Sequence, residues 1–405
     1  MTKEVKKVAT DEVKKCKSKT YMFFIGAGFS VPAGLPTASK LNAKILDADK
    51  LPITFHTDGK LYVGSDGKKP NFGIQSSLEI AYQIGIKFIH HYYNKCCEFD
   101  YEKFYEYLFD IFNRSWHKEQ DNDLQELYCF LHNDTGYPDG QVLHRRIDEI
   151  MQIYPKLVHY LLNDRTQSTL SKYSKFFEYI KVLIKQGNKV EVYSLNHDTI
   201  FEELILKYGL VECFCDGFSI VDTPFYEGKR PLERFCNQYD KSICLHKLHG
   251  STSYYAFFVE NKPNHLHVEN LIKSNNSIDE YNLSYKNNNN NTRTRAMLGI
   301  EAEYLTGTTS KAKRYEAPIY YKPQFENFER DLMKANEVYV IGYGFKDEKV
   351  NDIIKRNINN DAKCVVIDPF INDLAVSKAE EILPNLQPPV RQSVVDVDWS
   401  ENCCK

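Results

Sequence analysis

A chain of 405 residues exceeds one small module, and at about 150 residues per domain it divides into two or three. Hydrophobic residues at 42% and charged residues at 26% exclude a wholly disordered chain. The net charge of -3, from 52 basic against 55 acidic side chains, gives no bulk reason for sequence-independent nucleic-acid binding, and no direct nucleic-acid contact is expected.

The N-terminal arm, residues 1–20, is Lys-rich, and no apolar stretch behind it is long enough to target or span a membrane. The expectation is a cytoplasmic protein without membrane contact, whose 11 cysteines are mostly reduced thiols packed as small apolar groups. Zinc is the rival reading for Cys213, Cys215, Cys236 and Cys244. Their spacing contains no paired C-x-x-C, so no metal is expected.

Tyr21 to Ile25 is a continuous apolar run followed at once by glycines, the pattern of a strand buried on both faces. About 160 residues separate it from the next such run, Val190 to Leu195, whereas a crossover between parallel strands needs only a dozen or more. An inserted, mostly helical subdomain is therefore expected over residues 51–187. Within it, residues 51–72 read as loops or a small hairpin. Apolar stripes at helical spacing cover Phe104, Leu108, Ile111 and Phe112, then Leu143, Ile147, Ile150, Tyr154, Val158 and Leu161, with a bend or break at Pro155. A third stripe, Tyr173, Phe176, Ile180 and Leu183, closes at Gly187.

Two further strands are read at Val338–Ile341 and Cys364–Ile367, with a strand-like piece at Ile243–His246. Apolar strands separated by helices predict an α/β fold, a Rossmann-like parallel sheet with helices on both faces. Its residues are 21–50 and 188–390, interrupted at 257–313 by an insertion. Five consecutive asparagines, Asn287–Asn291, predict a mobile loop there. Residues 391–405 read as a tail.

Five short strings at predicted strand ends carry polar or glycine residues. In Gly26-Ala27-Gly28-Phe29-Ser30 the glycines let backbone N–H groups approach an anion, and a helix opening there aims its positive end at a phosphate. The same glycines also suit a tight turn for steric reasons alone. Asn196-His197-Asp198 follows the second strand, where open α/β sheets bind ligands, although helix capping is the plainer role for Asn or Asp there. His249-Gly250-Ser251 follows the strand-like piece, and among 12 histidines one alone carries little weight. Gly342-Tyr343-Gly344-Phe345 is a second glycine turn. Asp368 ends the last strand, as a ribose acceptor or as a turn residue.

Taken in order, Gly-Ala-Gly-x-Ser with Gly34-Leu35-Pro36, Leu-Asn-His-Asp, Leu-His-Gly-Ser, Gly-Tyr-Gly-Phe and Val-Ile-Asp resemble the sirtuin (silent information regulator-like) family. The closest likeness is to the divergent NAD-hydrolysing domains of prokaryotic antiviral defence systems. The likeness covers roughly residues 20–48, 188–256 and 315–370 and leaves the helical insertion unexplained. It implies that Gly26, Ala27, Gly28, Phe29 and Ser30 line the NAD pyrophosphate and nicotinamide-side ribose. Asn196 would hold the reacting ribose, with Asp198 near the nicotinamide amide. His249 would be the general base. Gly342 and Gly344 would meet the adenosine ribose and phosphates, and Asp368 the adenosine.

Two departures bear on substrate. Sirtuin deacylases follow Gly-Ile-Pro with Asp-Phe-Arg, where this chain has Thr37-Ala38-Ser39. They also carry a four-cysteine zinc ribbon after the histidine, and here Gly250 to Tyr343 contains no cysteine. The resemblance therefore implies an NAD glycohydrolase, with NAD as substrate, acting as an NAD-depleting effector in antiphage defence. It implies a homo-oligomer paired with a helicase-type ring ATPase. The alternatives are an NAD-dependent protein deacylase or ADP-ribosyltransferase, or a non-catalytic module binding NAD or ADP-ribose.

Overall fold

The computed structural model describes residues 18–400 apart from 58–59, 66, 74–75, 116–124, 127–128, 131–139, 164–166, 263–264, 275–281, 287–292, 295 and 305–315. Its centre is a six-stranded parallel sheet built from β1 (Thr20–Ile25), β2 (Lys189–Ser194), β3 (Phe214–Cys215), β4 (Ile243–Lys247), β5 (Glu337–Ile341) and β6 (Lys363–Ile367). The order across the sheet is β6-β5-β1-β2-β4-β3. The chain thus fills one side of β1 first and then crosses to the other, which makes the β1–β5 boundary the topological switch point.

The strands are apolar at successive positions because both faces are covered, and successive side chains point to opposite faces. On one face Met22, Phe24, Val338, Val340 and Val366 pack with Phe325, Phe328, Val350 and Ile354. These last come from helices α7 (Tyr321–Leu332) and α8 (Glu348–Asn357), joined there by α9 (Asp373–Ile382). On the other face Phe23, Ile25, Val192, Tyr339 and Ile341 meet Phe176, Ile180, Phe201 and Leu204. Those belong to α5 (Ser174–Lys185) and α6 (Ile200–Lys207).

The helical insertion has its own core. It packs α2 (Ser77–Cys96), α3 (Tyr101–Ser115) and α4 (Gly140–Asn163) around Tyr82, Phe88, Phe104, Ile150 and Tyr154. Leu41 and Ile45 of α1 (Ala38–Leu46), capped by Thr37, pack into this same core. Residues 53–55 and 61–63 pair as a small antiparallel hairpin. Pro155 lies inside α4, and the helix runs on through it.

Two features differ from the sequence expectation. The insertion after His249 is largely antiparallel sheet and starts earlier, with long strands at Gly250–Lys262, His265–Lys273 and Ala296–Tyr304 around Phe225, Phe257 and Ile272. The expected mobile loop at Asn287–Asn291 lies outside the described residues, as does most of the N-terminal arm. The stretch read as a tail packs Val394, Val397 and Trp399 into the sheet core, Trp399 ringed by Phe23, Phe176, Tyr179 and Tyr339. Its apolar residues were too few for a domain of their own, yet they suffice to seal an existing one.

Among the described residues, no helix is long and apolar enough to cross a membrane.

At the switch point the two glycine turns press against each other. A Cβ on Gly28 would lie 2.6 Å from the Gly342 Cα, and one on Gly342 would lie 2.4 Å from the Gly28 Cα. Gly342 also has φ +62, a left-handed conformation that disfavours a side chain. Gly344 has only the Lys346 Cγ near its absent Cβ, at 4.0 Å. Gly342→Ala should therefore lower unfolding free energy in denaturant titration by about 1–3 kcal/mol. Gly344→Ala should change it by less than about 0.5 kcal/mol; equal effects would contradict this packing argument.

Candidate active site

The register of the sheet sets Ile25, Ser194, Lys247, Ile341 and Ile367 in one row at its carboxyl edge. Gly26, Gly342 and Asp368 each follow that row by one residue, and Asn196 and His249 by two. A nucleotide over the ends of an open α/β sheet meets just this row.

Asn196 is 9% exposed and its carboxamide is fully directed. The Nδ2 group donates to the Gly26 carbonyl at 2.9 Å and to the Ser30 Oγ at 3.0 Å. Ser30 in turn donates to Asp198 Oδ2 at 2.8 Å, and Asp198 Oδ1 accepts from the Ile200 N–H at 3.0 Å. Asp198 therefore supports the start of α6 and joins the polar chain at once. Behind it the buried Lys247 ammonium donates to the Asp198 carbonyl and pairs with Glu202 at 3.2 Å. The β1 turn and the β2 turn are thus locked to each other by side-chain amide and hydroxyl groups.

The β2 and β4 ends are stitched as well. Leu248 N–H donates to the Ser194 carbonyl at 3.0 Å, and Thr252 N–H to the His197 carbonyl at 2.9 Å. His249, 4% exposed, has its ring 6.1 Å from that of His197. Its Nε2 lies 3.3 Å from Oδ2 of Asp347, the N-cap residue of α8. Asp347 was missed by the sequence reading. Its only local signal is an acidic residue just before a polar helix, which reads as a cap.

In the Gly26–Ser30 turn, expected to cradle phosphate, two of the backbone amides are already used within the protein. The helix that opens there is a single turn, Ala27–Ser30, followed by a short 3-10 segment containing Pro32. The Gly26 N–H donates to the Ile341 carbonyl and the Gly28 N–H to the Gly342 carbonyl, at 2.9 and 3.0 Å. These two amides hold the switch point together. Ala27 is exposed at the tip of the turn. Phe29, expected at the ligand, is wholly buried and packs its ring on Tyr173, Phe176 and Phe201. An aromatic side chain in a turn is pulled to the nearest core. Gly344 is exposed beyond the second turn, and Asp368 accepts from the Phe370 N–H at 2.7 Å, as a turn residue does.

One further polar group lies below the site, inside the sheet. Among the described residues, Glu191, His246 and Asp331 are the one set placed closely enough to hold a metal ion. Their hydrogen bonds are already made within the protein. His246 faces Glu191 Oε2 at 3.1 Å and Gln324 Oε1 at 3.2 Å, and Asp331 accepts from Tyr193 at 2.8 Å and from Arg330 at 2.9 Å. Tyr193 and Tyr239 stack on either side of the His246 ring. The group pins α7 to the sheet. Cys215 and Cys244 are neighbours on β3 and β4, Sγ to Sγ 3.2 Å. The hydrogen bond with Cys215, and after it burial, push the Cys244 thiol up, and the same bond lowers Cys215.

No protein-family model matches the sequence. No curated protein matches it either. Among solved structures the chain is similar to one from work on the mechanism and regulation of Sir2 enzymes, at 10% identity and TM-score 0.34, over 95% of this chain and 91% of that one. It is also similar to a Sir2 homologue in complex with NAD, at 12% identity and TM-score 0.31, over 95% and 88%. A third is Sir2 with the inhibitor EX-527, 2′-O-acetyl-ADP-ribose and a deacetylated p53 peptide, at 11% identity and TM-score 0.33, over 96% and 95%.

His246→Ala should leave Glu191 without its imidazole and lower unfolding free energy by about 2–3 kcal/mol. Added zinc should leave the thermal midpoint of the wild type unchanged. A midpoint that rises with zinc in wild type and not in His246→Ala would contradict a purely hydrogen-bonded role.

Proposed function

We propose that the chain is an NAD glycohydrolase, cleaving NAD with water to nicotinamide, ADP-ribose and a proton. The observation that carries this reading is the alignment of Asn196 and His249 two residues past neighbouring, in-register strand ends, beside the Gly26–Ser30 turn at the switch point. The order of the five sequence strings supports NAD as the nucleotide. The N-glycosidic bond of NAD leaves readily, because nicotinamide departs as a neutral group from a positively charged ring. What the protein must add is a held ribose, a dry surrounding and a base for the incoming oxygen. A buried carboxamide anchored through two donated hydrogen bonds orients without adding charge. A neutral imidazole accepts a proton near pH 7.

The missing cysteines between Gly250 and Tyr343 favour water over an acyl-lysine as acceptor, since the zinc ribbon that frames a peptide cleft in sirtuin deacylases has no counterpart in the sequence. An NAD-consuming activity of this kind suits an antiphage effector. It calls for restraint, which we assign to a homo-oligomer and a helicase-type ring ATPase. The exposed Val63, Phe72, Tyr93 and Phe109 of the helical insertion are suited to such contacts. One observation favours a second reading, a non-catalytic module that binds NAD or ADP-ribose. The Asn196 amide is engaged with Gly26 and Ser30, as a purely structural residue would be.

Chromatography of NAD incubated with the full chain distinguishes these readings. The glycohydrolase predicts equal nicotinamide and ADP-ribose, with His249→Ala slower by about 100- to 10,000-fold. Asn196→Ala should lose a similar factor. Nucleotide binding without turnover in the wild type would leave the module, and product that appears only with an acyl-lysine peptide would make the chain a deacylase.

A further inference from the structure

We infer that Asp347 is a positioning residue for His249, fixing the tautomer and direction of its imidazole. The inference rests on the assignment of His249 as base, and it names a group that the sequence strings do not contain.

The geometry is unusual for a surface cap. Asp347 stands at the end of β5 and His249 at the end of β4, with β1 and β2 lying between those strands in the sheet. The 3.3 Å contact from Nε2 to Oδ2 therefore runs over the two strand ends that carry the Gly26–Ser30 turn and Asn196. Neither side chain is free to wander. The His249 side chain is 5% exposed and that of Asp347 16%. Oδ1 of Asp347 accepts from the Val350 N–H at 3.1 Å, which leaves Oδ2 for the imidazole. The Asp347 N–H donates to the Tyr343 hydroxyl at 3.2 Å, and that hydroxyl donates to Asn351 Oδ1 at 2.9 Å. Asn351 closes the set by donating to the Phe345 carbonyl at 2.9 Å. A carboxylate held by its backbone, its helix and a tyrosine is a rigid acceptor.

The chemistry follows from the atoms. The approach of Nε2 to the carboxylate, 3.3 Å, is an ion-pair contact, and a proton kept on Nε2 by that charge places the lone pair of neutral imidazole on Nδ1. Nδ1 is then the atom that takes the proton from water as the ribose–oxygen bond forms and the ribose–nicotinamide bond breaks. The carboxylate stabilises the imidazolium that results. The other titratable groups around His249 are His197 and Asp198 on the β2–α6 turn and Lys247 with Glu202 behind them. Lys247 and Glu202 offset each other, and the Asp198 carboxylate is engaged by Ser30 and the Ile200 N–H, so Asp347 is the carboxylate in direct contact with the ring.

The test uses the full chain with Asp347→Asn and Asp347→Ala. Asparagine caps helices as well as aspartate does, so Asp347→Asn should keep the wild-type thermal midpoint. Its kcat for nicotinamide release should fall at least tenfold with KM for NAD within about twofold. The acid limb of its pH–rate profile should move to lower pH by about one unit, because the imidazolium has lost its counter-charge. Nitrogen-15 shifts of His249 should report the Nε2–H tautomer in wild type and a mixture in Asp347→Asn, without NAD. Asp347→Ala should also lower the midpoint. A wild type that cleaves NAD while Asp347→Asn matches it in kcat, pH profile and tautomer would overturn this inference alone. A wild type that leaves NAD intact would overturn the glycohydrolase, and the tautomer measurement would still decide the role of Asp347.

Discussion

The structure depends on two glycine turns that share one space. Gly28 and Gly342 meet backbone to backbone, closer than any side chain permits, and each turn donates or accepts a hydrogen bond from the other. This contact joins the first strand of the sheet to the fifth, across some three hundred residues that include three other strands of the sheet and two insertions. With that junction fixed, the strand ends fall into one row, and the polar groups that follow each strand converge. The glycines are thus needed for packing whatever they also do for a ligand.

Above the junction, stability and chemistry use the same groups. Ser30, Asn196 and Asp198 tie the first turn to the second strand and also form the floor of the candidate site. Lys247 and Glu202 support that floor from below, and the Glu191–His246–Asp331 network fixes the helix that closes one face. Buried polar groups of this density require partners for nearly every donor and acceptor.

Much of this could be read from sequence because it depends on local pattern. Strands buried on both faces show as unbroken apolar runs, so β1, β2, β5 and β6 were found within a residue or two. The three helical stripes were found by their period. What escaped was non-local or locally ambiguous. The strands from Gly250 onward form a local hairpin joined by a third strand across a long separation, and in the sequence they read only as an interruption. Trp399 and Val397 looked like a polar tail because their partners lie on β1, α5 and β5. Pro155 announced a bend or break, and the helix continues past it. Phe29 sat among the nucleotide residues by its place in a motif, while burial directs its ring to the core. Asp347 is nearly a hundred residues from His249, and only the sheet order brings them together.

The central claim concerns where a dinucleotide lies. A crystal structure with carba-NAD, whose nicotinamide–ribose bond cannot be cleaved, addresses it directly. The account predicts the pyrophosphate over the Gly26–Ser30 turn, and the ring carbon bearing nicotinamide between the side chains of Asn196 and His249. Occupancy of any other cleft, or a ribose directed away from those two residues, would contradict it.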